Sequence, residues 1–137
     1  MTRVVFETVD VPVDVAYEFA RKAENLPQWA SGLAAGVSQE GGAWYADSPM
    51  GRVRITLAPP NPFGVLDHDV TLPNGVTVHN AFRVTPAGDG CLLSFVVLRL
   101  PGVTTEAFEK DVAHVARDLK ALKTILEKLT RPSWSQP

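Results

Sequence analysis

The chain has 137 residues, 45% of them hydrophobic and 20% charged, with a formal net charge of −2. That length is close to the commonest domain size and suffices for a core without a disulfide or metal staple. Lys and Arg are dispersed among acids, which argues against a nucleic-acid partner, and the lone Cys91 fits a reducing, cytoplasmic compartment. The N-terminal apolar run is broken by Glu7 and Asp10, unlike a signal peptide, and no stretch approaches the roughly 18 apolar residues of a membrane span.

Residues 3–11 alternate loosely and are rich in β-branched side chains, which predicts a first strand. Pro12 presets φ for a helix start. Val15, Ala16, Phe19 and Ala20 then recur at helical spacing, predicting a short amphipathic helix over 12–22. A second helical turn is expected at Leu26-Pro27-Gln28-Trp29. From Gly32 to Leu100, short apolar or alternating runs are punctuated by Gly, Pro, Asn and Asp. They predict strands near 33–40, 43–48, 51–58, 64–72, 76–86 and 90–100. Asn74-Gly75 between two β-rich runs is the clearest hairpin signal, because both residues tolerate the positive φ of a type I′ turn. Short connections without helices force antiparallel pairing.

The last third changes period. Phe108, Val112, Val115, Leu119, Leu122, Leu126 and Leu129 follow a four-three spacing, with Thr104 or Thr105 to cap the start and Pro132 to stop the end. This predicts a helix of about 25 residues, roughly 37 Å long. The spacing also suits a helical dimer, but Ala113, Ala116, Ala121 and Ile125 widen the stripe and favour packing on a sheet. Either a monomer or a homodimer is compatible with the pattern. The expected organisation is one α+β domain over 1–131, followed by a disordered tail over 132–137. One helix about 10 Å across cannot fill the concave side of six or seven twisted strands, so a cavity for a small molecule is expected there.

The order of elements resembles the helix-grip fold of the START-like (SRPBCC) superfamily. That superfamily includes polyketide cyclases and dehydratases, birch-pollen allergens and lipid-transfer domains. The residues bearing the likeness are Val9-Asp10-Val11-Pro12-Val13-Asp14-Val15-Ala16, Asn25-Leu26-Pro27-Gln28-Trp29, Gly64-Val65-Leu66-Asp67-His68-Asp69-Val70 and the terminal run from Phe108 to Lys123. The resemblance implies a curved six- or seven-stranded antiparallel sheet gripping the C-terminal helix, with a hydrophobic or aromatic ligand held between them. By position, Phe108, Val112, Val115 and Leu119 would floor that cavity and Trp29 and Phe63 would stand near its mouth. Trp44, Ile55, Asn80 and Phe82 are assigned to its sheet wall. Each of these also reads as ordinary core.

His68, with Asp67, Asp69 and His79, is the one cluster suited to proton transfer. A two-residue turn at Asn74-Gly75 would pair Val70 with His79 and set both histidines on one face. A one-residue slip would instead pair Asp69 with His79. The sequence leaves both registers open. His114 lies off the helical stripe and reads as exposed. No metal spacing, phosphate loop, GxSxG, CxxC or HExxH is present, so no cofactor or metal is expected. Three functions follow: a binder or carrier of an apolar or aromatic molecule; a polyketide cyclase or dehydratase type of enzyme using His68 or His79 as acid–base; or a co-chaperone-like interaction module. Binding is favoured over catalysis.

Overall fold

Period-two alternation divides the sheet into a buried and an open face. Val53 and Ile55 are buried while the intervening Arg52 and Arg54 are exposed, and the same alternation sends Phe82 and Val84 inward and Arg83 and Thr85 outward. The structure, a computed structural model, describes residues 1–130; the tail expected at 132–137 lies outside them. The strands are Thr2–Val9 (β1), Val37–Glu40 (β2), Ala43–Ser48 (β3), Gly51–Leu57 (β4), His68–Thr71 (β5), Thr77–Ala87 (β6) and Gly90–Leu98 (β7). They form one antiparallel sheet in the order β1-β7-β6-β5-β4-β3-β2. Helix α1 (Val13–Ala20), a 3-10 turn at Ala23–Asn25, helix α2 (Leu26–Trp29) and a second 3-10 turn at Ser31–Leu33 follow β1. The terminal helix α3 spans Thr105–Thr130.

Several boundaries differ from the sequence expectation. The strand expected at 33–40 begins only at Val37, because Ser31–Leu33 coil into a 3-10 turn and Gly36 adopts φ +114°. The strand expected at 64–72 narrows to His68–Thr71. Ahead of it, Gly64 takes φ +71° and the Asp67 carboxylate, not a main-chain carbonyl, accepts the Phe82 N–H at 3.0 Å. Pairing survives at Leu66, whose N–H donates to Phe82 O at 2.8 Å, and at Gly64, whose carbonyl accepts Val84 N–H at 2.9 Å.

Helix α3 lies along β1 and β7 and also meets α1 and α2. Phe108, Leu119, Leu122 and Leu126 are wholly buried, and Leu119, Leu122 and Leu126 join Val9, Ala16, Leu93 and Phe82 in one core. Each such side chain contributes about 1.5–3 kcal/mol by leaving water. Polar links fix the helix along β1: Arg3 pairs with Glu109 at 2.7 Å, Glu7 with Lys123 at 3.9 Å, and the Asp10 N–H donates to Glu127 at 2.9 Å. The outer face of β1 and β7 exposes Val4, Phe6 and Leu98.

Gly64 is the tightest backbone approach in the fold: a Cβ there would stand 2.0 Å from the Val84 carbonyl oxygen. Gly41 has a similar positive φ of +57° with open space around it. Gly41→Ala is therefore expected to lose only the left-handed penalty, about 1 kcal/mol. Gly64→Ala should lose at least about 3 kcal/mol, since the 58–67 connection must also separate from β6 at Val84. Urea unfolding of the two variants measures the difference.

Candidate ligand-binding site

The connection between β5 and β6 sets the site's polarity. Gly75 N–H donates to Leu72 O at 2.9 Å and Leu72 N–H to Val76 O at 2.8 Å, enclosing a three-residue loop of Pro73, Asn74 and Gly75. Only Gly75 in this loop is left-handed, at φ +88°. A two-residue type I′ turn would need Asn74 there as well, so the loop with glycine at the bulge forms instead, with Pro73 fitting the first corner of an ordinary turn. The resulting register pairs His68 with Asn80 and Asp69 with His79. It is the slipped register of the two that the sequence left open, and it puts the two histidines on opposite faces.

His68 faces inward. Its Nδ1 lies 3.2 Å from Leu66 O and its Nε2 lies 3.3 Å from Asn80 Nδ2. A carbonyl can only accept and an amide N–H₂ can only donate. Those partners therefore define a neutral imidazole protonated at Nδ1, with the Nε2 lone pair occupied by Asn80. Burial lowers the His68 pKa, in keeping with that neutral form. The ring closes an aromatic chain: His68 to Phe95 at 6.0 Å, Phe95 to Phe82 at 5.6 Å, and Phe82 to Trp29 at 5.6 Å.

His79 faces outward and is well exposed. Its Nδ1 lies 2.7 Å from Asp69 and its Nε2 3.4 Å from Asp67. The Asp69 hydrogen bond is the main cause that raises the His79 pKa. Arg83 binds Asp67 through two 2.9 Å bonds and lowers its pKa, reinforced by the Phe82 N–H. The acid–base group that the sequence offers is thus divided by the sheet, with Asp67, Asp69 and His79 on the outer side and the His68 imidazole inside. Among the described residues, no group of three or more His, Cys, Asp or Glu is arranged to hold a metal ion.

Open space lies over β3 and β4, beside the end of α1. A cleft of about 320 Å³ is lined by Arg21, Trp44, Ile55, Leu57, Ala58 and Pro60, among others. A nook of about 20 Å³ adjoins it, sharing Arg21, Leu57 and Ala58, and is bounded by Leu26, Trp29, Leu66, His68 and Phe82. The far wall is the 58–67 connection, which Asn61 holds rigid. Its Nδ2 donates to Pro59 O and Val65 O, its Oδ1 accepts Phe63 N–H and Val65 N–H, and its own N–H donates to the Tyr17 hydroxyl at 2.8 Å. Trp29 is 6% exposed, and its Nε1–H has no acceptor among the described residues. A buried donor without a partner costs about 1–3 kcal/mol.

Of the residues singled out from the sequence, Trp44 and Ile55 line the cleft, as a directly opposed pair on β3 and β4. Trp29, His68 and Phe82 line the nook, and Asn80 stands behind His68. Phe63 is 76% exposed on the 58–67 connection and lines neither space. Phe108, Val112, Val115 and Leu119 also line neither; Phe108 is buried at the other end of the helix, with the Arg3 guanidinium 5.7 Å from its ring. Arg21, Gly42, Ala43, Arg54, Thr56, Leu57, Ala58, Pro59 and Pro60 also line the cleft and are not among the candidates that the sequence offers. For the last three the signal is the Ala58-Pro59-Pro60-Asn61-Pro62 run, too stiff for a plain turn and long enough to wall a cleft.

A second polar knot braces the site from behind. Asp118, buried on α3, accepts the Ser31 hydroxyl at 2.8 Å and the Ser31 N–H at 3.3 Å, and lies 3.2 Å from His114 Nε2. His114, expected from the sequence to be exposed, is half exposed. Its Nε2 also lies 3.3 Å from Ser31 Oγ. Serine thus donates to the carboxylate, and serine and aspartate share one imidazole nitrogen. A catalytic triad needs them on different nitrogens. The knot is a clamp between α3 and the turn after α2.

A curved seven-stranded antiparallel sheet, a long terminal helix and two short helices after the first strand define the helix-grip class of α+β domains. The family model described as polyketide cyclase / dehydrase and lipid transport matches residues 1–128, and the chain belongs to that family. Solved structures agree in fold. XoxI from Bacillus cereus superposes with a TM-score of 0.74 at 12% identity, covering 96% of this chain and 99% of that one. The Aha1 dimer from Colwellia psychrerythraea gives 0.72 at 12% identity, covering 96% and 99%. CalU16 from Micromonospora echinospora gives 0.66 at 14% identity, covering 96% and 77%. No curated protein sequence matches the chain. No helix among the described residues is long and apolar enough to cross a membrane.

The two histidines make opposite contributions to stability as pH changes. His68 has its pKa lowered from 6.5, so below 6.5 the unfolded chain binds a proton that the folded chain refuses; its contribution falls as pH drops toward the folded value. His79 has its pKa raised from 6.5, so its contribution is complete below 6.5 and is lost as pH rises through the folded value. Imidazole titrations by NMR should place His68 below and His79 above 6.5. His79→Gln should remove only the alkaline-side loss from the urea stability profile.

Proposed function

We propose that this protein binds a small apolar or aromatic molecule in the cleft over β3 and β4. The observation that supports this most is the cleft itself: about 320 Å³, walled by Trp44, Ile55, Leu57 and the rigid 58–67 connection, with Arg21 at its edge. Small-molecule sites span about 300–1,000 Å³, so the volume of this one suits a compact ligand, with Arg21, Arg54 and Thr56 among its lining beside the apolar groups. The space lies beyond the reach of α3, whose apolar stripe is committed to β1 and β7. Family membership agrees with the reading, since its description spans lipid transport as well as cyclase and dehydrase chemistry.

A cyclase- or dehydratase-type activity is the second reading, and His68 on the nook is the observation that favours it. As a neutral imidazole it could accept a proton at Nε2 once Asn80 yields its bond; His79, on the opposite face, could take no part. An interaction module draws on exposed Val4, Phe6 and Leu98, a less specific feature than a walled cleft.

Fluorescence titration with N-phenyl-1-naphthylamine tests the binding reading. Saturable uptake is expected, and Leu57→Trp, which enlarges a lining side chain on the same face of β4 as Ile55, should weaken it about tenfold or more, equivalent to about 1.4 kcal/mol. Absence of saturable uptake by the wild-type protein would remove this reading. For the enzymatic one, His68→Gln should abolish turnover of a substrate found by screening, while His79→Gln leaves it intact.

A further inference from the structure

We infer that the molecule held in the cleft carries a planar amide or lactam edge, whose N–H donates to the main-chain carbonyl of Leu57 and whose C=O accepts the Leu57 N–H. This rests on the cleft reading and narrows it to apolar or aromatic compounds with a donor and an acceptor side by side.

The cleft lies where two neighbouring strands stop pairing. The β3–β4 ladder ends at Trp44 opposite Ile55, whereas β4 stays paired with β5 as far as Leu57 opposite His68. Continuing the same register, the position facing Leu57 falls on Gly42. Gly41 and Gly42, at φ +57° and +82°, form the turn between β2 and β3, so the chain swings away there instead of running on beside β4. Gly42 and Ala43 line the space on one side, and Ile55, Leu57 and Ala58 on the other.

Neighbouring bonds fix where the main-chain groups point. The Ala58 N–H donates to Asp67 O at 2.9 Å, toward β5. A trans peptide aims its C=O opposite to its N–H, so the Leu57 C=O of that same peptide points toward β3. Ladder alternation sends the Leu57 N–H the same way. The ladder has no rung there, and no other hydrogen bond joins Leu57 N–H or C=O to a described residue. Leu57 thus offers the pairing edge of a strand inside the cleft, and a partner meets such an edge by exchanging both bonds.

The carbonyl is the group that discriminates. Arg21 also reaches this space, with its guanidinium bonded to Glu18 at 2.9 and 2.7 Å, and it offers only donors. Arg54 and Thr56 alternate to the face of β4 opposite Ile55. A ligand that brings only acceptors leaves the Leu57 C=O unpaired, whereas an amide satisfies both groups at once. The peptide is also held in place, by its bond to Asp67 and by the Asn61 bonds to Pro59 O and Val65 O at 3.0 and 2.9 Å. The ligand's ring system then rests against Trp44 and Ile55.

A matched pair of probes tests the assignment. 2-Quinolone and coumarin are planar bicycles of one outline; beside the carbonyl the first has an N–H and the second a ring oxygen. Each is titrated into ¹⁵N-labelled protein with assigned backbone amides. 2-Quinolone should bind about tenfold more tightly, because the coumarin ring oxygen would meet the Leu57 carbonyl lone pair to lone pair. Its binding should also move the Leu57 amide proton downfield and slow that proton's exchange with deuterium. No preference for 2-quinolone, or a Leu57 amide proton that does not move downfield, overturns the inference; saturable uptake of N-phenyl-1-naphthylamine by the same protein leaves the cleft reading standing. If none of the three compounds binds saturably, the cleft reading falls and the inference with it.

Discussion

One residue of register at the Pro73-Asn74-Gly75 loop determines which side of the sheet β5 shows to the core. Side chains on a strand alternate, so a slip of one position would exchange His68 for Asp67 and Asp69 on the inner face. A carboxylate pair facing Phe82 and Phe95 would carry a large desolvation cost, whereas one neutral imidazole bonded at both nitrogens does not. The loop chemistry and the burial energetics agree on the same register. The outer network of Asp67, Asp69, His79 and Arg83 is its counterpart in water.

The second constraint is where α3 sits. Its apolar stripe is spent on β1, β7, α1 and α2, and its flanking charges reach back to Arg3, Glu7 and the Asp10 backbone. The inner faces of β3 and β4 lie farther along the sheet, where the shorter covering pieces are the Ser31–Leu33 turn and the start of the 58–67 connection. Short covering elements fill a concave surface less completely than a long helix does, and the cleft lies among them. The helix-grip layout therefore yields two unlike interiors, a packed one under α3 and a partly open one toward β3 and β4.

Several polar groups beside the open half are tied into hydrogen bonds. Asn61 uses its amide and its backbone to brace the cleft wall, Asn80 fixes the His68 tautomer, and Asp118 ties α3 to the turn after α2. Trp29 Nε1–H, by contrast, has no acceptor among the described residues.

The sequence by itself determined the order of elements, the antiparallel sheet, the long terminal helix and the family resemblance. These follow from local periodicity and punctuation: the four-three stripe from Phe108 onward, Pro12 before α1, and the Gly and Pro residues between strands. It also picked out Trp44, Ile55, Trp29, Phe82 and His68, because large or polar residues on an inner face are candidates wherever a cavity forms. Tertiary structure decided the rest. The hairpin register depended on whether Asn74 could remain outside the left-handed region, a balance between loop geometry and burial across two strands. The cleft's position depended on which strands α3 covers, and helical spacing says only that a stripe is buried, not what it is buried against. Arg21 and the Ala58-Pro59-Pro60 wall line the cleft because the chain folds them together from separate segments, a proximity that local sequence does not encode.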